Sequence, residues 1–375
     1  MAKLRAWRAD AVPIAGSSHL VVGLTTMFAA SACGTGGFAD LGRNDQIFVV
    51  SADGDSFRRI TDDDAANRSL AWSPDGQRLA FVASTQGSGA IETIRPDGHD
   101  RKMLLRRPTL GGELTWSPDG KRLTFSSYRE EPNITSLETV DVDGTTPQLI
   151  ASFVMPFVAP LGPSWSPDSG RLAYARSVGT GPPRVPPDAG PDAVAIIPGT
   201  FKIVVSGLRN HQRAQRLTQA SGGEWDPRWM PRGGKILFTR RQGRRTALVI
   251  GSPGNRPSVL AAGFIDFEAD WSPEGRQVAV SGVRFAGDRR YHFWVIDVRT
   301  HAMRKLADNV LPPRPSWSPD GRRIAYAAES GLGVVRIGDG ATTTLRRAGR
   351  AEIGEVAWSP SGGWIAFTAR KVPLD

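Results

Sequence analysis

A ten-residue unit that opens with tryptophan recurs seven times along the chain and constrains its fold more than any other feature. Proline stands two places after the tryptophan in every copy, and an aliphatic residue stands seven places after it. Self-similarity of this kind is the signature of a repeat architecture. The units are WSPDGQRLAF, WSPDGKRLTF, WSPDSGRLAY, WMPRGGKILF, WSPEGRQVAV, WSPDGRRIAY and WSPSGGWIAF, opening at Trp72, Trp116, Trp165, Trp229, Trp271, Trp317 and Trp358.

Each unit predicts a β-hairpin. In Ser-Pro-Asp-Gly, proline fixes φ at the second turn position and glycine supplies the geometry needed to re-enter a strand. Residues 78–81 then alternate with a period of two, as a half-buried strand does. Asp-Gly pairs at 53–54, 97–98 and 143–144 indicate a second hairpin per unit. Four strands in 41 to 49 residues, with one unit of 64, are typical of a propeller blade.

The two ends of the chain predict how the ring closes. Only two strands follow Trp358, and two further strands, at 45–50 and 56–60, precede the first unit. Together they make one blade, which removes open sheet edges. We therefore expect an all-β, seven-bladed propeller of four-stranded antiparallel blades over residues 45–375, closed by N- and C-terminal strands that share a blade. A monomer is expected.

The first 44 residues resemble an export and anchoring segment. Lys3, Arg5 and Arg8 precede an apolar stretch at 20–32, which is shorter than the roughly 20 residues that span a bilayer. Ala30-Ser31-Ala32-Cys33 is similar to a bacterial lipobox, which implies lipidation of Cys33. Residues 1–32 are then a signal peptide, and 33–44 are the anchor cysteine and a flexible linker. Ordinary secretion and a cytosolic tail are the alternatives.

The repeat also resembles a known module. The WSPDG unit is similar to the PD40 repeat, the WD40-like module of TolB propellers and of prolyl-oligopeptidase-type enzymes, over residues 45–369. The resemblance implies a propeller and TolB-like work in the cell envelope. Two departures stand out, because TolB-type proteins carry an α/β domain before a six-bladed propeller, whereas seven units follow a short segment here.

Composition and motifs bear on chemistry. The chain has no G-x-S-x-G sequence, and its five histidines show no metal-ligand spacing. From this we expect no enzymatic activity. The formal net charge of +10 would suit an anionic partner, but export argues against nucleic acid. With Cys33 the single cysteine, no disulfide is expected.

The third residue before each tryptophan forms a ring of equivalent positions, which we expect at one mouth of the central channel. Four of the seven are acidic, which predicts a collar for a divalent cation such as Ca²⁺ or for a basic group of a partner. Alternatively, each acid accepts bonds from loop amides or pairs with an arginine. The positions are Ser69, Glu113, Gly162, Asp226, Glu268, Arg314 and Glu355.

Loops on the same face predict a contact patch. Apolar side chains at Phe153, Met155 and Phe157, and at Phe264 and Phe267, lie in expected connections. A proline-rich insertion occupies 178–200, and a basic turn could pair with anionic groups. The arginines of that turn are Arg240, Arg241, Arg244 and Arg245.

Three functions remain open at this point. The favoured one is a binding scaffold, held on the outer face of the cytoplasmic membrane or in the periplasm, whose top face holds a protein or peptide. The alternatives are recognition of a glycan or envelope polymer, and a metal-dependent propeller hydrolase or lactonase.

Overall fold

Strands are the regular elements of this chain. The computed structural model describes residues 45–370 except 86–87, 108–109, 130–133, 145, 155–161, 178–200, 209–213, 220–221, 244, 265, 285–289, 311–313 and 348–352. Within these ranges there are 28 strands and no helix. Accordingly, no segment of the described chain forms a helix capable of crossing a membrane.

The strands form seven antiparallel blades, and the seven-bladed, all-β prediction is confirmed. Blades 1 to 6 each take four consecutive strands, beginning with β3, and blade 7 has the order β2-β1-β28-β27. A single bridge, Val310 to Ala328, also links blades 5 and 6. The first fourteen strands are β1 Asp45–Ser51, β2 Phe57–Arg59, β3 Ala66–Trp72, β4 Leu79–Thr85, β5 Ser88–Ile94, β6 Lys102–Arg107, β7 Leu110–Trp116, β8 Arg122–Arg129, β9 Ile134–Asp141, β10 Gln148–Val154, β11 Ser164–Trp165, β12 Arg171–Ser177, β13 Phe201–Gly207 and β14 Gln215–Arg216.

The second half of the ring repeats the same order of strands. In each of blades 1 to 6 the first strand ends at the repeat tryptophan, and in blade 7 that strand is the penultimate one of the chain. These strands are β15 Glu224–Trp229, β16 Ile236–Gln242, β17 Arg245–Gly251, β18 Ser258–Phe264, β19 Asp266–Trp271, β20 Gln277–Val283, β21 Tyr291–Asp297, β22 Met303–Val310, β23 Ser316–Trp317, β24 Arg323–Ala328, β25 Gly331–Arg336, β26 Thr342–Arg347, β27 Ile353–Trp358 and β28 Trp364–Arg370.

The chain closes the ring as predicted. Strand β1 pairs with β28 over seven residues, from Asp45 opposite Arg370 to Ser51 opposite Trp364. A buried polar group supports the junction of blades 7 and 1, where Asn67 donates to the backbone oxygens of Asp45 and Ala65. The N- and C-terminal strands therefore share one blade.

The hydrophobic core lies between the blades. Seven clusters of buried side chains fill the seven seams, each with members from two adjacent blades. The cluster between blades 7 and 1, for example, joins Ile47 and Val49 to Trp72, Leu79 and Phe81. Because burial of apolar surface is the main favourable term in folding, the blades stabilise one another rather than folding singly.

The repeat turns form one face of the ring, called the bottom face here. In blade 1 the Ser73 hydroxyl donates to Asp75 at 2.5 Å and accepts from the Arg78 amide at 2.9 Å. Gly76 follows with φ of +68°, and its amide donates to the Ser73 carbonyl. The connections between the third and fourth strands lie on the same face, as in blade 5, where the Val298 amide donates to the Arg276 carbonyl. The opposite face, which carries the connections between the second and third strands and the links between blades, is called the top face.

The repeat tryptophan holds neighbouring blades together. In blades 1, 2, 5 and 6 its indole N–H donates to the carbonyl of the residue before the tryptophan of the preceding blade, as from Trp72 to Ala357 at 3.0 Å. The seams before blades 4 and 7 differ. There an arginine stacks on the tryptophan, with Arg171 over Trp229 at 4.9 Å and Arg323 over Trp358 at 4.8 Å.

Candidate functional site in the central channel

The first strands of the blades line the channel and deviate from regular pairing at one level. Their pairing shifts register around the third residue before the tryptophan in blades 1, 2, 4 and 7. At that position Ser69, Gly162 and Asp226 have φ between +48° and +58°. A bulge re-aims side chains, so this level is built to present particular groups.

Arg228 lies at the centre of the side chains presented there. Its Nη2 atom is 2.6 and 2.8 Å from the two carboxylate oxygens of Glu113, across the channel on blade 2. The same atom is 2.7 Å from Asp226 on its own strand. Arg228 is 12% exposed, so these charge-assisted bonds are shielded from solvent.

Arg314, from blade 6, reaches carboxylates on three other blades. Its Nη2 atom is 2.5 Å from Glu113, 3.2 Å from Glu268 and 3.3 Å from Asp226. We call Glu113, Asp226, Arg228, Glu268 and Arg314 the channel cluster. Since its members come from blades 2, 4, 5 and 6, the cluster bridges the channel.

Burial and charge set opposite protonation tendencies within the cluster. Burial raises the pKa of Glu113, but the charges of Arg228 and Arg314 outweigh burial and lower that pKa to about 2. Burial dominates at Glu268 and raises its pKa to about 8, even though Arg314 opposes the rise. Glu113 is therefore an anion at neutral pH, whereas Glu268 tends to hold its proton.

Two further acids flank the cluster. Asp270 accepts a bond from the amide of Trp271, and burial raises its pKa. Glu355 accepts bonds from the amides of Ser69 and Leu70 at 2.9 and 2.8 Å, and burial also raises its pKa. Glu355 thus bonds the backbone of blade 1 instead of the arginines.

Most of the residues predicted for the channel mouth lie in one network. Glu113, Asp226, Glu268 and Arg314 lie together, while Glu355 is placed apart on amide groups. Arg228 and Asp270, both of which directly precede a repeat tryptophan, were not among the predicted residues. Because strand residues two apart face the same side, the ring of residues at that position was the signal that could have revealed them.

The predicted cation site is not lined by oxygen ligands alone. Two guanidinium groups stand among the clustered carboxylates. Among the residues that the structure describes, no group of three or more Asp, Glu, His or Cys has the geometry to hold a metal ion. Ca²⁺ at the channel mouth stays a prediction.

The predicted basic turn lies on the top face between β16 and β17. Arg240 contacts the fully buried Glu224 at 2.9 Å and packs over Phe238. Its guanidinium is therefore already paired inside the protein. Arg241 is exposed and lies 5.8 Å over the ring of Trp225, and Arg245 is exposed. Arg244 lies outside the described residues.

The apolar contact patch needs one correction. Phe264 and Phe267 are not loop residues, because they belong to β18 and β19 and are 0% and 8% exposed in the core between blades 4 and 5. Phe153 lies in β10, where its side chain is not described. Cys33, Met155, Phe157 and the insertion at 178–200 lie outside the described residues.

Sequence comparison finds peptidases. No protein-family model matches the chain. It is 33% identical over 63 residues to dipeptidyl-peptidase 5 of Porphyromonas endodontalis, a match covering 17% of this chain and 9% of that protein. It is 27% identical over 153 residues to the uncharacterized peptidase YuxL of Bacillus subtilis, covering 40% of this chain and 22% of that protein. The chain thus matches less than a quarter of either curated relative.

Solved structures share the fold. TolB from Acinetobacter baumannii is 18% identical with a TM-score of 0.53, covering 80% of this chain and 66% of that one. A putative TolB from Agrobacterium tumefaciens is 17% identical with a TM-score of 0.53, covering 88% and 99%. An oligogalacturonate lyase in complex with manganese is 14% identical with a TM-score of 0.61, covering 84% and 93%.

Its fold is TolB-like. The predicted resemblance to TolB and other PD40 propellers is confirmed at the level of the fold. The expectation of no enzymatic activity, in contrast, is wrong as an inference from missing motifs. The sequence relatives are peptidases and one structural neighbour is a lyase. The lack of a serine elbow therefore does not decide the chemistry of this TolB-like chain.

Proposed function

We propose that the protein is an exported, membrane-anchored propeller of the cell envelope that binds a protein or peptide on its top face, at the channel cluster. The export and lipobox-like segment up to Cys33 supports the location, and the TolB-like fold agrees with envelope work.

The channel cluster carries the proposal. Its charged side chains come from four blades, are 12 to 26% exposed, and lie where the first strands leave regular pairing. Concentrating buried charge is expensive for the fold, which makes such groups candidates for function. A peptide on the top face would contact them together with the exposed Arg241 and Arg245.

A cross-linking capture from intact membranes tests the proposal. The native protein is compared with a Cys33→Ala variant, and the mass of the mature N-terminus is measured in both. Acyl chains on the native N-terminus, and one protein or peptide recovered with the native form but not the variant, are the expected results. An unacylated N-terminus together with no specific partner would contradict the proposal.

The peptidase relatives add a second readout. Any captured peptide is incubated with the purified protein, and the products are separated by mass spectrometry. Unchanged peptide indicates binding alone, whereas defined cleavage products indicate that the same face also performs chemistry. Binding of envelope polysaccharide with no peptide or protein partner would favour the polymer-binding alternative.

A further inference from the structure

We propose that the channel cluster recognises a cationic group, a primary ammonium or a guanidinium, and that Arg314 occupies its place in the free protein. This inference rests on the proposed function, because it names the chemistry that the partner would bring to the top face. Arg314 is then an internal cation, which a cation of the partner displaces on binding.

The contacts of Arg314 support this assignment. It is the basic member of a ring of seven equivalent positions that otherwise holds small or acidic residues. Its carboxylate contacts are to blades 2, 4 and 5, none of which is its own blade. The guanidinium therefore serves the site rather than the packing of its blade.

Exposure also separates Arg314 from the rest of the cluster. Its side chain is 26% exposed, the largest fraction of the five members, whereas Arg228 is 12% exposed. The Nε atoms of Arg314 and Arg228 are both buried and without a hydrogen-bond partner. Arg314 thus differs from Arg228 in lying on the accessible side of the cluster, where a partner's cation reaches it first.

The carboxylates outnumber the internal cations. Glu113 and Asp226 would keep Arg228 if Arg314 moved away, because both contact Arg228 directly. Glu268, in contrast, has Arg314 as its one ion-pair partner among the described residues. Removing Arg314 would leave Glu268, with Asp270 nearby, next to a space of the size and charge that a cation fills.

Protonation gives a second signature in the variant that lacks the internal cation. Glu268 faces Arg314, Arg228, Glu113 and Asp226, and burial raises its pKa to about 8. In Arg314→Gln, a cation bound against Glu268 favours the ionised form and so releases a proton. Binding to this variant should therefore tighten as pH rises, whereas in wild type one cation replaces another beside Glu268.

Calorimetric titration with n-butylammonium and n-butylguanidinium chloride tests the inference on the full-length protein. An Arg314→Gln variant should bind these probes about tenfold more tightly than wild type, or better, because the carboxylates that Arg314 contacted are left to pair with the probe. Adding Glu268→Gln should abolish the gain. Arg299→Gln, an exposed change on the bottom face, is the charge-matched control and should bind like wild type.

Equal binding by folded Arg314→Gln and wild type would overturn the inference, and Arg314→Ala is measured in parallel as a second variant. If neither variant folds, wild type decides: titration at high probe concentration must show saturable binding that Glu268→Gln abolishes, and the absence of such binding refutes the exchange. A gain of cation binding with no captured partner would uphold the inference and refute the proposed function. A captured partner with no gain would do the reverse.

Discussion

Two levels of the innermost strands, the turn at the bottom face and the channel level three residues before the tryptophan, follow opposite rules. At the bottom face, the seven described turns share one hydrogen bond. The backbone amide of the residue after the tryptophan donates to the carbonyl of the residue six places after the tryptophan, as Ser73 does to Arg78. At the channel level, three residues before the tryptophan, the blades hold different side chains, and Glu113, Asp226, Glu268 and Arg314 meet in one network. The residues that repeat in every blade thus build the scaffold, and the residues that differ between blades build the site.

The comparison implies different responses to mutation. A turn that recurs in each blade is a local unit, so changes in separate turns should add. The channel cluster is one coupled unit, so removing a member affects partners on several blades. Four predictions follow from this difference, from the largest expected effect to the smallest.

Arg228→Met should lower the free energy of unfolding by about 3 to 5 kcal/mol, because breaking a buried pair leaves uncompensated charge. Asp226 would lose its closest cation, and Glu113 would lose one of its two guanidinium partners. Urea denaturation measures the change. Arg299→Met, on an exposed bottom-face turn, is the control and should stay within about 0.5 kcal/mol of wild type. Equal effects of the two variants would contradict the distinction between the channel level and the bottom face.

Gly76→Ala should lower the free energy of unfolding by about 2 to 4 kcal/mol, because strain at positive φ and overpacking both apply. The new Cβ would lie 2.7 Å from the Ser359 hydroxyl of the neighbouring turn. Gly254→Ala is the matched control, since Gly254 also has positive φ but no heavy atom within 4 Å of the added Cβ. Thermal unfolding of both variants separates the effect of backbone strain from that of crowding. Similar losses of stability in the two variants would show that the turns do not pack tightly.

Glu268→Gln should remove a pH dependence of stability. The folded pKa of Glu268 is about 8, above its ordinary value of 4.5, so folding is favoured at low pH and the advantage is lost as pH rises from about 4.5 to about 8. One such group changes the free energy of unfolding by at most about 1.4 kcal/mol per pH unit. Urea midpoints at pH 5 to 9 give the wild-type minus variant difference. A difference that does not fall with pH would show that Glu268 ionises normally.

Ser73→Ala and Ser318→Ala should each lower the free energy of unfolding by about 0.5 to 1.5 kcal/mol, the net contribution of a typical hydrogen bond. Each serine hydroxyl bonds an aspartate and an amide of its own turn, in blades 1 and 6. The double variant should show the sum within about 0.5 kcal/mol. Strong coupling between these distant turns would contradict local, independent units.

The sequence predicted the scaffold well because the same signal occurs seven times. Tryptophan, proline and the aliphatic position located each hairpin, and the unpaired strands near both ends located the closing blade. The site was harder, because it depends on residues that differ between blades. Arg228 and Asp270 were missed, since one ring of positions was compared and the neighbouring ring was not.

Packing decided the other differences. The basic turn suggested four exposed arginines, yet Arg240 pairs with Glu224, a buried residue that the repeat alignment did not single out. Phe264 and Phe267 were assigned to a connection, although β18 and β19 follow each other with one residue between them. Apolar residues at these positions are compatible with a strand and with a loop, so their pattern does not reveal such a short link.

The central claim is that the divergent channel level, and not the repeated bottom face, binds the partner. Partner capture from membranes tests it most directly, using wild type, a Glu113→Gln/Glu268→Gln variant and a Ser73→Ala/Ser318→Ala variant, each verified as folded. The account predicts that the channel variant loses the partner while the turn variant keeps it. Retention of the partner by the channel variant, or loss by the turn variant alone, would contradict the account.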